Sequence, residues 1–317
     1  MRAVRPPLLA CLALAVVLAG HGAAGIRVVK GKHAPYRIVS PHFVVEFSVS
    51  PSDGKEYAVL CEKGYKRLAS IFHVSPRSDV WRGKCRVYLF KTRDEFVQFA
   101  QNVHRSATGM MSGGYTRITS RDPDIVLFLH NNDHVKLQQT VVHEMTHVFL
   151  QLFDKSVRIP TWVHEGCAQF FEFMHYPKQS RLAASKRLAK RMVKDSTYYP
   201  FRDLFKLHFP PTDAKGYAQS WSMLDFMITS KEGGSKRTSR FILLLKHGRS
   251  QEEALRGAFG CSVDTFEEAW KEHVLSAYED VKLDEDQDDE ESEKPAEAQD
   301  DDAKGSVPLR MGGDSRR

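Results

Sequence analysis

The stretch VVHEMTHVF at residues 141–149 determines how the rest of the sequence is interpreted. It lies where apolar residues recur at helical spacing, so we predict a helix from Lys136 to Phe153. His143 and His147 are one turn apart, and their imidazoles therefore project from one face of that helix. Two nitrogens at this separation can bind one Zn²⁺ at about 2.0–2.1 Å each. Glu144 lies about 100° around the helix, where it can reach a metal-activated water without ligating the metal.

A third ligand is needed, because a hydrolytic zinc site has three protein ligands and one open position. The metzincin extension requires glycine at position 150 and histidine at 153, and this chain has leucine and phenylalanine there. A glutamate fits instead. The stretch PTWVHEGCA at residues 160–168 opens the next predicted helix, Thr161 to His175, with Thr161 as N-cap. Glu165 lies 18 positions after His147. A short turn between the two predicted helices would bring its side chain back to the two histidines.

These motifs resemble the gluzincin zinc metallopeptidases, in particular the peptidase MA-like domain of exported bacterial proteins. The HExxH pattern is typical of zinc metallopeptidases in general. The downstream glutamate and its context make the resemblance more specific. The matching residues are His143, Glu144 and His147, then Trp162, Glu165, Gly166 and Ala168, the stretch YAQSWS at 217–222, and the weaker flanks Phe201–Phe205 and Phe266–Val274.

The resemblance implies a secreted zinc-dependent metallopeptidase with a thermolysin-like catalytic core, acting on peptide or protein substrates. In such a core His143, His147 and Glu165 bind Zn²⁺. Glu144 is the general base that takes a proton from the metal-activated water and passes it to the leaving amine. Tyr217 matches the tyrosine that donates a hydrogen bond to the oxyanion in related aminopeptidases. An ordinary tyrosine of an amphipathic helix explains Tyr217 equally well.

The sequence departs from related aminopeptidases in two ways. The spacing to Glu165 is one residue shorter, which requires a tighter turn, and Thr108–Thr119 lacks the Gly-x-Met-Glu-Asn element that captures a free amino terminus. Aminopeptidase activity is therefore not implied, and endopeptidase activity or another mode of peptide cleavage is left open. Ile125 to Leu129 is a candidate edge strand for pairing with an extended peptide. Gln169 and Glu172 are the two candidates for accepting the free ring N–H of a ligand histidine.

Two other functions are compatible with these residues. One is a catalytically inactive zinc-containing domain that serves binding or scaffolding in the cell envelope. The other is a zinc amidase that acts on a non-peptide amide. The intact Glu144 argues against the first alternative, since a structural metal site needs no general base.

The hydrophobic pattern predicts an α+β fold with two parts. Residues 25–132 are expected to form a small mixed α/β subdomain with an edge strand, and residues 133–280 a mainly helical, zincin-like catalytic half. The first part has predicted strands at 37–49 (interrupted at Pro41), 85–90, 115–119 and 125–129, and predicted helices at 53–73 and 92–104. Further helices are predicted at 136–153, 161–175, 178–194, 213–229, 237–245, 251–258 and 263–276.

Charge divides the chain unevenly. The net charge of the 317 residues is +6, yet residues 279–317 hold 15 acids and 6 bases, so the remainder is strongly basic. Residues 281–317 are predicted to be a disordered acidic tail, because they contain few large apolar side chains. Basic residues are scattered over the rest of the chain without a nucleic-acid-binding motif, so we expect no nucleic-acid partner.

The N-terminus has the layout of a secretory signal peptide over residues 1–24. Arg2 and Arg5 precede an apolar run from Leu8 to Ala19, and small residues follow up to Ala24. A run of 12 residues is too short for a spanning helix, which needs about 20. We therefore expect cleavage near Ala24, a periplasmic or extracellular location, and no transmembrane segment in the mature chain.

Four cysteines remain after the expected cleavage, at positions 61, 85, 167 and 261. Export permits disulfides, but widely spread cysteines can equally be buried thiols. Cys61 and Cys85 are the favoured pair if a disulfide forms.

Overall fold

A computed structural model describes residues 27–283, except 76–79, 82, 106–113, 119–122, 155–156, 158, 179 and 207–212. The predicted signal peptide and the acidic residues after 283 therefore lie outside the described residues, as does most of Thr108–Thr119. Among the described helices, none is both long enough and apolar enough to cross a membrane.

A mixed sheet forms the first part of the described structure. Its strands are β1 (Val29–Lys30), β2 (Tyr36–Val39), β3 (Phe43–Phe47), β4 (Cys85–Phe90), β5 (Gly114–Arg117) and β6 (Asp124–Phe128). The order across the sheet is β1-β2-β3-β4-β6-β5. The central strands β3, β4 and β6 run parallel, and the outer strands pair antiparallel with their neighbours. Every residue of β3 and β6 is buried, as expected for parallel strands covered on both faces.

Alternate residues of the central strands enter two separate cores. Val45, Val87 and Ile125 face the main core, which continues into the helical half. Tyr88 and Val126 face a smaller core on the other side of the sheet. The sheet is therefore enclosed on both faces, and its position relative to the helices that follow is fixed by packing.

Two helices of the first part begin within two residues of their predicted starts. Helix α1 (Pro51–Ile71) starts with proline in its first turn, and the Ser50 side chain accepts from the Asp53 N–H. Helix α2 (Arg93–Phe99) begins with a capping box between Thr92 and Glu95. The chain then continues as a π-helical turn, Ala100–His104, so the end of the predicted helix 92–104 differs in geometry.

The second part is mainly helical, which confirms the predicted α+β fold. Its helices are α3 (His134–Leu152), α4 (Thr161–His175), α5 (Ser180–Lys194), α6 (Phe201–Leu204), α7 (Ala214–Thr229), α8 (Ser235–Lys246), α9 (Gln251–Phe259) and α10 (Val263–Ala277). The four-residue α6 was not predicted, because one turn gives no periodic pattern. Thr161 is the first helical residue rather than the N-cap; the cap position belongs to Pro160, whose carbonyl accepts from the Val163 N–H.

The favoured Cys61–Cys85 disulfide is wrong. All four described cysteines are free thiols. Cys61 on α1 and Cys85 at the start of β4 are both fully buried in the main core. Burial raises the pKa of the Cys61 thiol, so this side chain packs as a small apolar group.

A buried carboxylate holds β4, β5, β6 and the π-helical turn together. Asp124, at the start of β6, is fully buried. Its Oδ1 accepts from Arg86 Nε at 2.6 Å, and its Oδ2 accepts from Arg117 Nη2 at 2.9 Å and lies 3.2 Å from His104 Nε2. Burial alone would raise the pKa of Asp124, but the hydrogen bonds from these three partners outweigh burial and lower it. The carboxylate is therefore charged in the folded protein.

Replacing Asp124 by asparagine should destabilise the protein in a pH-dependent way. At pH 7 we expect Asp124→Asn to lower the free energy of unfolding by about 2 kcal/mol, since it breaks the charge-assisted hydrogen bonds that the buried carboxylate accepts from Arg86 and Arg117. The folded-state pKa lies below the unfolded value, so the carboxylate stabilises the parent above about pH 4 and loses this effect as the pH falls through the folded pKa. Urea unfolding at pH 7 and at about pH 3 measures both effects.

The matched control is Asp280→Asn, because Asp280 is exposed. This variant should stay within about 0.5 kcal/mol of the parent. An Asp124→Asn penalty of the same size at both pH values would contradict the assignment of the effect to the charge.

Candidate metal centre

The three predicted metal ligands converge where α4 packs against α3. His143 Nε2 and His147 Nε2 are 3.1 Å apart. Glu165 Oε2 lies 3.6 Å from His143 Nε2, and Glu165 Oε1 lies 3.7 Å from His147 Nε2. Bonds of 2.0–2.1 Å in a tetrahedral arrangement separate ligand atoms by about 3.3–3.4 Å. The nitrogen and oxygen donors of this cluster therefore fit Zn²⁺ in both type and spacing.

The end of α8 holds the turn between α3 and α4. Lys246 is buried, and its Nζ donates to the carbonyl oxygens of Gln151 at 3.2 Å and Val157 at 3.4 Å. The neighbouring His247 lies 2.9 Å from Asp154 through Nε2 and Oδ2. Burial lowers the pKa of Lys246 to about 8, although Asp154 acts in the opposite direction. These contacts stabilise the short connection that brings Glu165 back to the histidines.

A glycine beside the third ligand allows α4 and α7 to approach closely. A Cβ atom at Gly166 would lie 2.4 Å from the carbonyl oxygen of Ser220 and 2.7 Å from Leu224 Cδ2. Any larger residue at this position would force the two helices apart. Gly166 therefore sets the distance between Glu165 on α4 and the residues that α7 carries.

Charges in the cluster favour a bound cation. Burial raises the pKa of Glu165, but the two histidines outweigh burial and lower it to about 2. Burial lowers the pKa of His143, yet Glu165 and Glu172 outweigh burial and raise it to about 10. The pKa of His147 is lowered, chiefly by burial. A metal ion and a proton therefore compete for the same place between the carboxylates.

Glu172 contacts a ligand histidine, and Gln169 does not. Glu172 Oε2 lies 3.3 Å from His143 Nδ1, and Oε1 accepts from Arg181 Nη1 at 2.7 Å. The Glu172 side chain is buried, so the contact is sheltered from water. Gln169 is also buried, but its Oε1 has no hydrogen-bond partner among the described residues. Of the two candidates from the sequence, Glu172 is the one in position to orient a ligand ring.

A family model of the Peptidase MA superfamily matches residues 118–276. The chain belongs to the Peptidase MA superfamily. The matched region contains α3, α4 and α7 and the whole His-His-Glu cluster. This member of the superfamily is therefore a metallopeptidase with a candidate metal site, and peptides are its class of substrate. A comparison with curated proteins finds no match.

The two predicted catalytic residues of this Peptidase MA protein lie beside the cluster. Glu144 is half-buried on α3, next to His143 in the chain. Tyr217 is half-buried on α7, the helix that packs closely against α4. Burial, together with the carboxylates of Glu165 and Glu144, raises the pKa of the Tyr217 phenol. Tyr217 is therefore within electrostatic reach of the cluster and stays protonated at neutral pH.

The predicted edge strand is wrong. Ile125 to Leu129 corresponds to β6, which lies between β4 and β5 and is paired on both sides. The edge strand on this side of the sheet is β5 (Gly114–Arg117), which contacts α3. The sequence could not show this, because the order of strands in a sheet is set by contacts distant in the chain.

Two residues of the site were not singled out from the sequence. Arg181 pairs with Glu172, and Lys246 binds the turn between α3 and α4. Each lies on a different helix from the residues it serves. A basic residue in a helix gives no sequence signal of such a role, since most of them simply face solvent.

Replacing Glu172 by glutamine should weaken metal binding by about 10–100-fold, because His143 loses the carboxylate that fixes its ring. Competition with a chromophoric chelator measures the zinc dissociation constant. Gln169→Met is the matched control, since it changes the other candidate on the same helix, and it should bind zinc like the parent. If Glu172→Gln folds normally and binds zinc as tightly as the parent, Glu172 does not position the histidine.

Proposed function

We propose that this protein is an exported, zinc-dependent peptidase in which His143, His147 and Glu165 bind the metal and Glu144 is the general base. The convergence of three suitable ligand atoms carries the proposal. An intact glutamate at position 144 and membership of the Peptidase MA superfamily support it. The signal-peptide pattern of residues 1–24 supports export.

Zinc bound at this cluster would supply Lewis acidity toward the scissile carbonyl group and toward a water molecule. The protein's own groups move the protons. Glu144 accepts a proton from the attacking water and delivers it to the leaving amine, which must be protonated before the peptide bond breaks. Its half-buried position beside His143 suits this role, because the carboxylate is close to the cluster without being one of its three members.

Tyr217 is proposed to stabilise the oxyanion. Its raised pKa keeps the phenol protonated, so the hydroxyl can donate a hydrogen bond to the carbonyl oxygen as negative charge develops there. The close packing at Gly166 supports this role, since it holds α7 against the helix that carries Glu165.

Strand β5 is proposed to bind the substrate. An edge strand presents unpaired backbone N–H and C=O groups, to which an extended peptide can add as a further strand. The contact between β5 and α3 supports this role, because α3 carries His143 and Glu144. Recognition through the peptide backbone would not by itself select a side-chain sequence.

Zinc content and turnover should respond differently to changes of ligand and base. The purified parent should contain about one zinc per chain. His143→Ala and Glu165→Ala should lose most of it, since each removes one of three protein ligands. Glu144→Gln should retain zinc but turn over about 10²–10⁴-fold more slowly, because it cannot accept a proton. Metal analysis by mass spectrometry and cleavage of a broad peptide library, compared between the parent and Glu144→Gln, measure both properties.

Glu144→Gln is also the control for the ligand variants, as it lies on the same helix as His143 and keeps all three ligands. If both His143→Ala and Glu165→Ala retain the zinc content of the parent, the assignment of these residues as zinc ligands is wrong. A parent that binds zinc but cleaves no peptide of the library would favour the scaffold or the amidase alternative.

Replacing Tyr217 by phenylalanine should lower kcat by about 10²–10³-fold, because only the hydroxyl that stabilises the oxyanion is removed. KM and zinc content should change little, since the ring and the three ligands remain. Steady-state kinetics with a peptide identified from the library separate these effects. An unchanged kcat would assign Tyr217 to helix packing alone.

A further inference from the structure

Helix α5 is the most basic element of the described structure. Its 15 residues, Ser180–Lys194, contain six basic and no acidic side chains. Arg181, at its start, is already paired with Glu172. The other five bases fall into two groups, which have different surroundings.

Three of these bases form an exposed stripe. Arg187, Arg191 and Lys194 are spaced four and three residues apart, so they lie along one face of α5. All three are exposed. Within the described part of the chain, none of them forms an ion pair with a carboxylate. Like charges at this spacing repel one another, so the stripe costs free energy unless an anionic group binds it.

The other two bases bind the last described residues of the chain. The Nζ of buried Lys190 donates to the carbonyl oxygens of Glu279 and Val281, both at 2.9 Å. Lys186 lies over the ring of Tyr278, with its Nζ 5.4 Å from the ring centroid. Tyr278 is itself buried against the core. The last described residues of the chain therefore lie along α5, beside the stripe.

The sequence that follows has the opposite charge. Residues Asp284–Asp302 contain 12 acids and one base, and they begin directly after the last described residue, Leu283. We propose that the stripe of Arg187, Arg191 and Lys194 is a docking surface for this acidic segment of the same chain. The segment is long enough to reach the whole stripe. Its 19 residues span up to about 60 Å when extended, whereas α5 is about 22 Å long.

Because the acidic segment and the stripe belong to the same chain, weak ion pairs are sufficient for docking. A single exposed pair contributes little in water, often less than about 1 kcal/mol. Because the segment is attached beside the stripe, its effective concentration there is on the order of millimolar. In addition, any of its 12 carboxylates can form an ion pair with any of the three bases. A separate anionic partner, such as a lipid surface, would have to compete with this tethered ligand. The attachment therefore favours the chain's own segment as the occupant.

Zero-length carbodiimide cross-linking of the full chain tests the proposal. The reagent joins a lysine to a carboxylate only when the two are in contact. At low ionic strength, mass spectrometry of the monomer should find Lys194 joined to acids of Asp284–Asp302. The yield should fall steeply in about 1 M salt, where the screening length shrinks to about 3 Å.

Two pairs of substitutions distinguish specific binding of the segment to the stripe from chance contacts that arise because the segment is attached nearby. Arg187→Glu with Arg191→Glu should lower the Lys194 cross-link by about fivefold or more, since two attractive sites become repulsive. Arg240→Glu with Arg249→Glu changes the same number of exposed arginines elsewhere and should leave the yield unchanged. If the first pair disturbs folding, Arg187→Gln with Arg191→Gln replaces it, and its Lys194 yield should fall below that of the parent; an unchanged yield would then overturn the proposal.

Three results would overturn the proposal. The first is a Lys194 yield that is the same in the reversed variant and the parent. The second is a set of cross-links that, after mixing with isotopically labelled protein, join light and heavy chains, since docking would then occur between copies. The third is binding of phosphatidylglycerol vesicles through the stripe in a full chain that shows no cross-link from Lys194 to the acidic segment.

Discussion

The contact between the Glu165 carboxylate and the imidazoles of His143 and His147 is the constraint on which the site depends. These groups come from two helices, and burying a charged carboxylate is unfavourable unless cationic or polar partners compensate. The histidines do compensate, since they lower the pKa of Glu165 in spite of burial. The bonds that Lys246 donates to the turn between α3 and α4 hold these two helices together, and the close approach at Gly166 holds α4 against α7.

The sheet fixes α3, and with it the cluster. Strand β6 leads into α3 after a short connection, and β6 is itself held by pairing on both sides and by the buried Asp124. The main core runs without interruption from sheet residues such as Val45 to C-terminal residues such as Tyr278. The sheet and the helices are thus two parts of one packed body in the described residues, and the histidines are presented from the layer between them.

The sequence predicts local features well and non-local ones poorly. Apolar periodicity and capping residues are local, and the seven long helices from α3 to α10 lie within two residues of their predicted bounds. The cluster of His143 with Glu165 was predicted because its spacing is encoded in two adjacent helices. The Cys61–Cys85 disulfide and the edge strand at Ile125 were wrong, since both depend on which elements become neighbours in space. The roles of Arg181 and Lys246 went unpredicted for the same physical reason.

A line of alternating charges connects the cluster with α5. Glu165 pairs with His143, His143 with Glu172, and Glu172 with Arg181 at the start of α5. Because Glu172 is buried and His143 is half-buried, water screens their interaction weakly, whereas the side chain of Arg181 is exposed. Near its other end α5 binds the last described residues of the chain through Lys190. Helix α5 is therefore in contact both with Glu172, which is in position to orient a candidate ligand, and with the residues that precede the acidic segment.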